Sequence, residues 1–372
     1  MTLRILVVVI LASLCTTKSW AGLEEGVAAY ERDDYVTAMK ELRPLAEQGN
    51  ASAQVHMALM YLNGEGVPAD AAEAVKWARK AAEQNDASGQ LLLGSFYARG
   101  RGVEQNAVEA AKWFRKAAEQ GDPTAQSNLG DAYLSGSGVT TDVAEAIKWY
   151  RKAGDQGQVD AQANLGLIYM EGRVIPQDFK EARKWLEAAA EQGHGFAQTN
   201  LGVMYRDGRG VNPDAAEAVK WFRKAAEQDV AVAQSNLGVA YADGKGVTQD
   251  PVEAVKWFRK AAAHGHPWGQ LNLGMMYLNG QGVTKNQAEA AKYFRAAADQ
   301  GQPTAQVALG TLLAHGRGLA KDSVQAYKWL LLADKAGEPQ AKGALSDLAQ
   351  SMTPAQVTEA QRLAQEWKPI EE

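Results

Sequence analysis

Cysteine is nearly absent from this chain of 372 residues: there is one, Cys15, close to the N-terminus. If that segment is removed as a leader, no disulfide or thiolate chemistry remains and packing alone must hold the protein. Histidine is almost as scarce. His264 and His266 share a loop while His56, His194 and His315 are scattered, so no set of ligands has the spacing of a metal site. No cofactor and no metal are expected. An excess of positive charge is missing too: 39 Lys and Arg stand against 44 Asp and Glu, a net charge of −5 that becomes −7 without Arg4 and Lys18. That balance argues against nucleic acid or an anionic membrane as partner.

Met1 to Ala21 reads as a secretory signal. Arg4 gives a positive start, and Ile5 to Leu14 is apolar but too short to span a bilayer comfortably. Ser19 and Ala21 place small residues at the two positions a signal peptidase reads, so cleavage is expected after Ala21. This predicts a periplasmic or secreted protein with no membrane contact after processing. A lipoprotein signal using Cys15 is the second reading, weakened by Leu14, a poor small residue before that cysteine.

What the chain does have is a period of 36 residues. Gln54, Gln90, Gln126, Gln162, Gln198, Gln234, Gln270 and Gln306 keep it without a slip, as do Trp77, Trp113, Trp149, Trp185, Trp221, Trp257, Tyr293 and Trp329. A spacing held eight times is the signature of stacked units. In the unit 123–158, Asp122 and Pro123 read as an N-cap and first helical position, a junction that recurs at His266-Pro267, Gln302-Pro303 and Glu338-Pro339. Ala125, Leu129 and Tyr133 give a first helix its apolar face, with Gly130 where another helix can approach, and Gly136 and Gly138 end it. Asp142 and Glu145 read as a capping-box pair opening a second helix, with Ala146, Trp149, Tyr150 and Ala153 as its apolar stripe and Lys148 and Lys152 towards solvent. Each unit is thus an antiparallel helical hairpin, and the fold class is all-α.

Eight such units run over 51–338. Residues 22–50 read as a divergent capping hairpin, and 339–372 as two closing helices, Gln340 to Gln350 and Pro354 to Trp367. About 20 helices in one continuous solenoid are expected, with no linker dividing it. One turn departs from the pattern: Met170 to Pro176 puts Val174 where the others have their second glycine, and a β-branched residue does not favour positive φ.

The pattern A-Q-x-N-L-G-x-x-Y-x-x-G-x-G-V followed by D-x-x-E-A-x-K-W-x-x-K-A-A-x-x-G resembles the Sel1-like repeat, a relative of the tetratricopeptide repeat with a longer, glycine-containing turn. The resemblance covers about Ala51 to Glu338 and implies a right-handed α-solenoid that serves as an adaptor or scaffold for a protein or peptide partner. It also implies a competing class. Penicillin binding or hydrolysis has been proposed for the cysteine-rich branch of such proteins, so a cell-envelope hydrolase of the β-lactamase-like type is the alternative. The lack of cysteine separates this chain from that branch, and Ser127 and Ser235 have no histidine at a repeat-equivalent neighbour to act as base. The glycine turns, such as Asp243 to Thr248, lack the preceding strand and GK[ST] ending of a phosphate loop. Catalytic residues are therefore not expected, and capped ends favour a monomer.

In tetratricopeptide-like solenoids the first helix of each hairpin lines the concave surface. If that holds here, Asn128, Asn164, Asn200, Asn236 and Asn272, each two residues after the repeated glutamine, point along one groove. Their amides offer a donor and an acceptor that suit a peptide backbone; the alternative is that they bond neighbouring helices. Selectivity then falls to varying positions on the same face: Asp160, Phe196, Val232 and Trp268 one turn before, and Asp131, Leu167, Val203, Val239 and Met275 three residues after. Phe196, Val203, Val239, Trp268 and Met275 are the expected apolar contacts. The repeated tryptophans belong to the core.

Overall fold

The computed structural model describes residues 21–370, which form helices joined by turns, with no strand among them. Apart from Ala21, the leader lies outside the described residues. Two compact units divide the chain, Met1–Pro176 and Gln177–Glu372. In the first, a helix over 21–31 (α1) precedes α2 (Tyr35–Glu47). Hairpins follow: α3 (Ala51–Asn63) with α4 (Ala71–Glu83), α5 (Ala87–Arg99) with α6 (Ala107–Glu119), and α7 (Pro123–Ser135) with α8 (Val143–Asp155), then α9 (Val159–Glu171). The second unit opens with α10 (Phe179–Glu191). It continues as α11 (Gly195–Asp207) with α12 (Ala215–Ala226), α13 (Ala231–Asp243) with α14 (Pro251–Ala263), α15 (Pro267–Asn279) with α16 (Gln287–Asp299), and α17 (Pro303–His315) with α18 (Ser323–Lys335). The closing helices are α19 (Pro339–Ala349) and α20 (Pro354–Glu366). Within the repeats, the non-consecutive helices in close contact are first helices: α3 with α5, α7 with α9, and α13 with α15. First helices thus neighbour first helices along each unit.

The helices start where their caps stand. Asp142, like its equivalents, accepts a backbone N–H three residues on, which satisfies one of the first-turn donors. The second half of the expected capping box does not form in the repeats. Glu145 pairs instead with Lys148 at 2.7 Å, as Glu73 does with Lys76 and Glu217 with Lys220, because an ammonium one turn ahead is a stronger partner than the cap's own amide. The full box closes only at Thr353 and Gln356. At Glu338, too, no cap bond forms; its carboxylate takes the Thr304 hydroxyl at 3.0 Å.

Glycine decides how close the helices of a hairpin come. A Cβ on Gly130, Gly202, Gly238 or Gly274 would lie 2.6–2.7 Å from the ring of Tyr150, Phe222, Phe258 or Phe294, so each ring lies flat on bare backbone. In the turns, Gly138 has φ 75° and a Cβ there would meet the carbonyl oxygen of Ala107 at 2.0 Å. At Val174 a side chain stands in that place without positive φ, and the cap bond from Gly172 N–H to Ile168 O lengthens to 3.3 Å from the 2.9 Å at Gly64, Gly244 and Gly280. The boundary between the two compact units falls in this turn.

The repeated glutamines are buried, and most of them join three elements. Nε2 of Gln198 donates to Ala190 O at 3.0 Å, a carbonyl in the last turn of the preceding helix that also takes the Gly193 N–H at 3.1 Å, and Oε1 accepts from Gln228 Nε2 at 2.8 Å. The same second bond links Gln84 to Gln54, Gln120 to Gln90, Gln156 to Gln126 and Gln300 to Gln270. It fails at two places, Gln234 and Gln306, whose Oε1 atoms are buried without a partner because His264 and Ala336 replace the donor. A further link joins arginine to tyrosine 18 residues on, as from Arg115 to Tyr133 at 2.6 Å and Arg223 to Tyr241 at 2.9 Å. The tryptophans lie at the hairpin seams, with Trp221 and Trp257 only half-buried, and a lysine covers the indole, from one turn ahead in most repeats, 3.8 Å from the ring centre for Lys80 over Trp77, and from the preceding position at Trp185 and Trp329.

Two substitutions test this packing by urea unfolding. Gly238→Ala should lower stability, since overpacking costs about 1–3 kcal/mol against a helix gain of at most ~1 kcal/mol. His264→Gln should raise it by about 1 kcal/mol by giving Gln234 its missing donor.

Candidate functional site

Between successive first helices the surface dips into cavities that recur in one register. One of about 300 Å3 lies between α5 and α7, lined by Ser95, Arg99, Asn128, Asp131 and Ser135 over a floor of Ala110, Ala111 and Phe114. Its equivalent between α11 and α13, about 420 Å3, is lined by Arg206, Asp207, Asn236, Val239 and Lys245 over Ala218, Val219 and Phe222. Counterparts of about 210 Å3 and 350 Å3 lie between α3 and α5 and between α17 and α19. The floor is apolar because it is the second helix seen through the gap between two first helices. The walls vary because the first helices' outward positions are free of the repeat constraint.

All five ladder asparagines are half-buried on this surface, and they are not equivalent. Asn164 donates to Asp131 Oδ1 at 3.3 Å, and Asn236 Oδ1 accepts from Arg206 at 3.0 Å. The side chains of Asn128, Asn200 and Asn272 make no hydrogen bond to another described residue. Of the apolar positions, Phe196 is 63% exposed, Trp268 54% and Val232 40%, with Leu167, Val239 and Met275 close to the last. Val203 differs: it is half-buried against the cluster of Ala218, Val219 and Phe222. In the second unit the face of α11, α13 and α15 therefore carries two apolar columns with asparagines between them. In the first unit the same columns are mostly polar, with Thr124, Asp131 and Asp160.

Asp131 is the chemically unusual member. Its Oδ1 takes the hydroxyl of buried Tyr150 at 2.5 Å, in a repeat where others have Phe, Leu or Ala at the tyrosine's position. Burial of the carboxyl, with Asp160 nearby, pushes its pKa up against the opposing effect of the tyrosine bond. The Tyr150 phenol is pushed up as well, first by burial and then by Asp131. Asp207 goes the other way, held below the usual range by the bond from Arg206.

The spacing could have disclosed the arginine–tyrosine link, since both residues recur 18 apart, but the pocket-wall roles of Arg99 and Arg206 have no periodic signal. Among the described residues no group of three or more His, Cys, Asp and Glu is arranged to hold a metal ion, and no helix is long and apolar enough to cross a membrane.

The Sel1 repeat family model matches 51–86, 87–122, 123–158, 159–194, 195–230, 231–266, 269–302 and 303–337. The chain is a Sel1 repeat protein. It is similar to c5321, a protective antigen present in uropathogenic Escherichia coli strains that displays an SLR fold, with 36% identity, a TM-score of 0.85, and coverage of 94% of this chain and 76% of that one. It is also similar to a Sel1 repeat protein from Oxalobacter formigenes, with 35% identity, a TM-score of 0.63, and coverage of 83% and 90%. No relative was found among the curated proteins. Sel1 repeat proteins are in general non-catalytic scaffolds that bind protein partners.

The raised Asp131 pKa has a testable consequence. The folded carboxyl holds its proton more tightly than the unfolded one, so its contribution to stability is full below the ordinary carboxylate range and is lost as pH rises through the folded value. Asp131→Asn should be more stable than the parent near neutral pH, and the difference should shrink as pH falls through the carboxylate range, read from thermal unfolding at a series of pH values.

Proposed function

We propose that this protein is an exported, non-enzymatic binding scaffold that holds a segment of a partner protein along the inner face of its first helices. The observation that carries this reading is the set of open amides at Asn128, Asn200 and Asn272, each beside one of the recurring cavities or exposed side chains. An amide that spends neither its donor nor its acceptor on the protein is suited to a peptide backbone, while Phe196, Val239, Trp268 and Met275 offer contact area for side chains. Val203, packed inward, contributes to the floor rather than to the rim.

Export rests on the leader read at 1–21, and it is supported by the similarity to c5321, since a protective antigen must be met by the host. The negative net charge favours a protein over a nucleic acid or an anionic membrane as partner. The mature protein acts as a monomer in the periplasm or outside the cell.

A photo-crosslinking residue at Asn200 should capture a partner from the envelope fraction that one at the outward-facing Lys224 does not. Alanine at Asn200 and Asn272 together should weaken binding of that partner at least about fivefold, two lost hydrogen bonds at ~0.5–1.5 kcal/mol each. Equal capture from both sites, or unchanged binding with helical content intact, would defeat the reading.

A further inference from the structure

We infer that the bond between Arg173 and Val174 is a cleavage site for a trypsin-like serine protease, the place where the folded chain is processed into one fragment ending at Arg173 and another beginning at Val174. The inference is independent of the groove reading and concerns the turn that follows α9.

Seven of the eight repeat turns are fastened in the same way. The amide between the two glycines donates to a carbonyl five residues back, as from Arg101 to Phe96 at 3.1 Å, Ser137 to Ala132 at 3.0 Å and Arg209 to Met204 at 3.0 Å. The second glycine has positive φ and presses on the first residue of the second helix of the hairpin before, so closely that a Cβ would lie 2.0–2.9 Å from it. Between Met170 and Pro176 both fastenings are missing. The Arg173 N–H makes no such bond to Ile168, and Val174, without positive φ and 53% exposed, does not take the glycine's place.

A protease takes its substrate as an extended segment lifted off the surface, so it acts first where lifting breaks least. This turn has neither fastening to break. Its residues also suit the cleft. Pro176 biases Ile175 towards the extended region, and Gly172, at φ 65°, can turn to it without steric cost. The Arg173 guanidinium, with its side chain 79% exposed and held only by a surface pair with Glu171 at 3.3 Å, is free to enter the acidic specificity pocket of a trypsin-like enzyme. Arg101, Arg209 and Arg317 stand at the equivalent place in their turns, but each keeps its amide bond and is followed by the pressed glycine. The reaction is peptide hydrolysis. The Arg173 acyl group passes from the Val174 nitrogen to the protease's serine oxygen and then to water, leaving a carboxylate on Arg173 and an amine on Val174.

The test is limited digestion of the mature chain with trypsin, read by intact mass and N-terminal sequencing while circular dichroism follows the fold. The first cut should fall between Arg173 and Val174. Val174→Gly, which restores the second glycine and keeps the arginine, should slow that cut at least about tenfold by giving the turn back its bond and its packing. Arg173→Gln should abolish it. Free peptides spanning 168–179 with valine or glycine at 174 should be cut at closely similar rates, so that the difference in the folded chain belongs to the turn. A first cut at Arg101, Arg209, Lys245 or Arg317, or no cut until helical content is lost, would overturn the inference. So would a Val174→Gly chain cut as fast as the parent, or peptides that differ as much as the folded chains do.

Discussion

The buried glutamine is the interaction on which the array depends. A helix end leaves carbonyls without partners, and stacking hairpins end to end would bury many of them. By taking a carbonyl eight residues back and an amide thirty residues ahead, Gln126 closes one hairpin's end while tying it to the next, as its bonds to Ala118 and Gln156 show. The apolar contacts that supply most of the stability share the register of these bonds, and at Gln234 and Gln306, where the second bond is missing, packing alone keeps it. The flat approach of Phe258 on Gly238 and the link from Arg259 to Tyr277 belong to that register.

The same constraint frees the inner face. Because glutamine, leucine, glycine and the aromatic ring use up one side of each first helix, its outward positions serve no purpose in stacking and can diverge. They do diverge, polar in the first unit and apolar in the second. Large apolar side chains in an exposed first turn gain nothing for the fold, which is why Phe196, Val232 and Trp268 speak for a partner rather than for packing.

Fold was legible in the sequence because it is periodic: caps, stripes and glycines repeat, and each repetition confirms the last. The exposure of Phe196 and Trp268 was legible for the opposite reason, as departures from the period. What escaped were interactions set by a single neighbour. The ladder asparagines look alike in sequence, but Asn164 meets Asp131 and Asn236 meets Arg206 only because those residues happen to stand one row back. The glutamates of the second helices were assigned to the cap amide, since the motif alone does not weigh a lysine three residues on. His264 reads in sequence as one of a pair of loop histidines; it is a missing donor only by its place opposite Gln234 in the folded ladder.

The fixed offsets of the glutamine bonds carry a consequence for how such a chain changes over time. Losing or duplicating one residue inside a unit would misalign the bonds that span it, whereas losing or duplicating 36 re-forms the same bonds between new neighbours. Length is therefore quantised, and lineages can tune the reach of the binding surface by whole hairpins through unequal recombination without redesigning any interface.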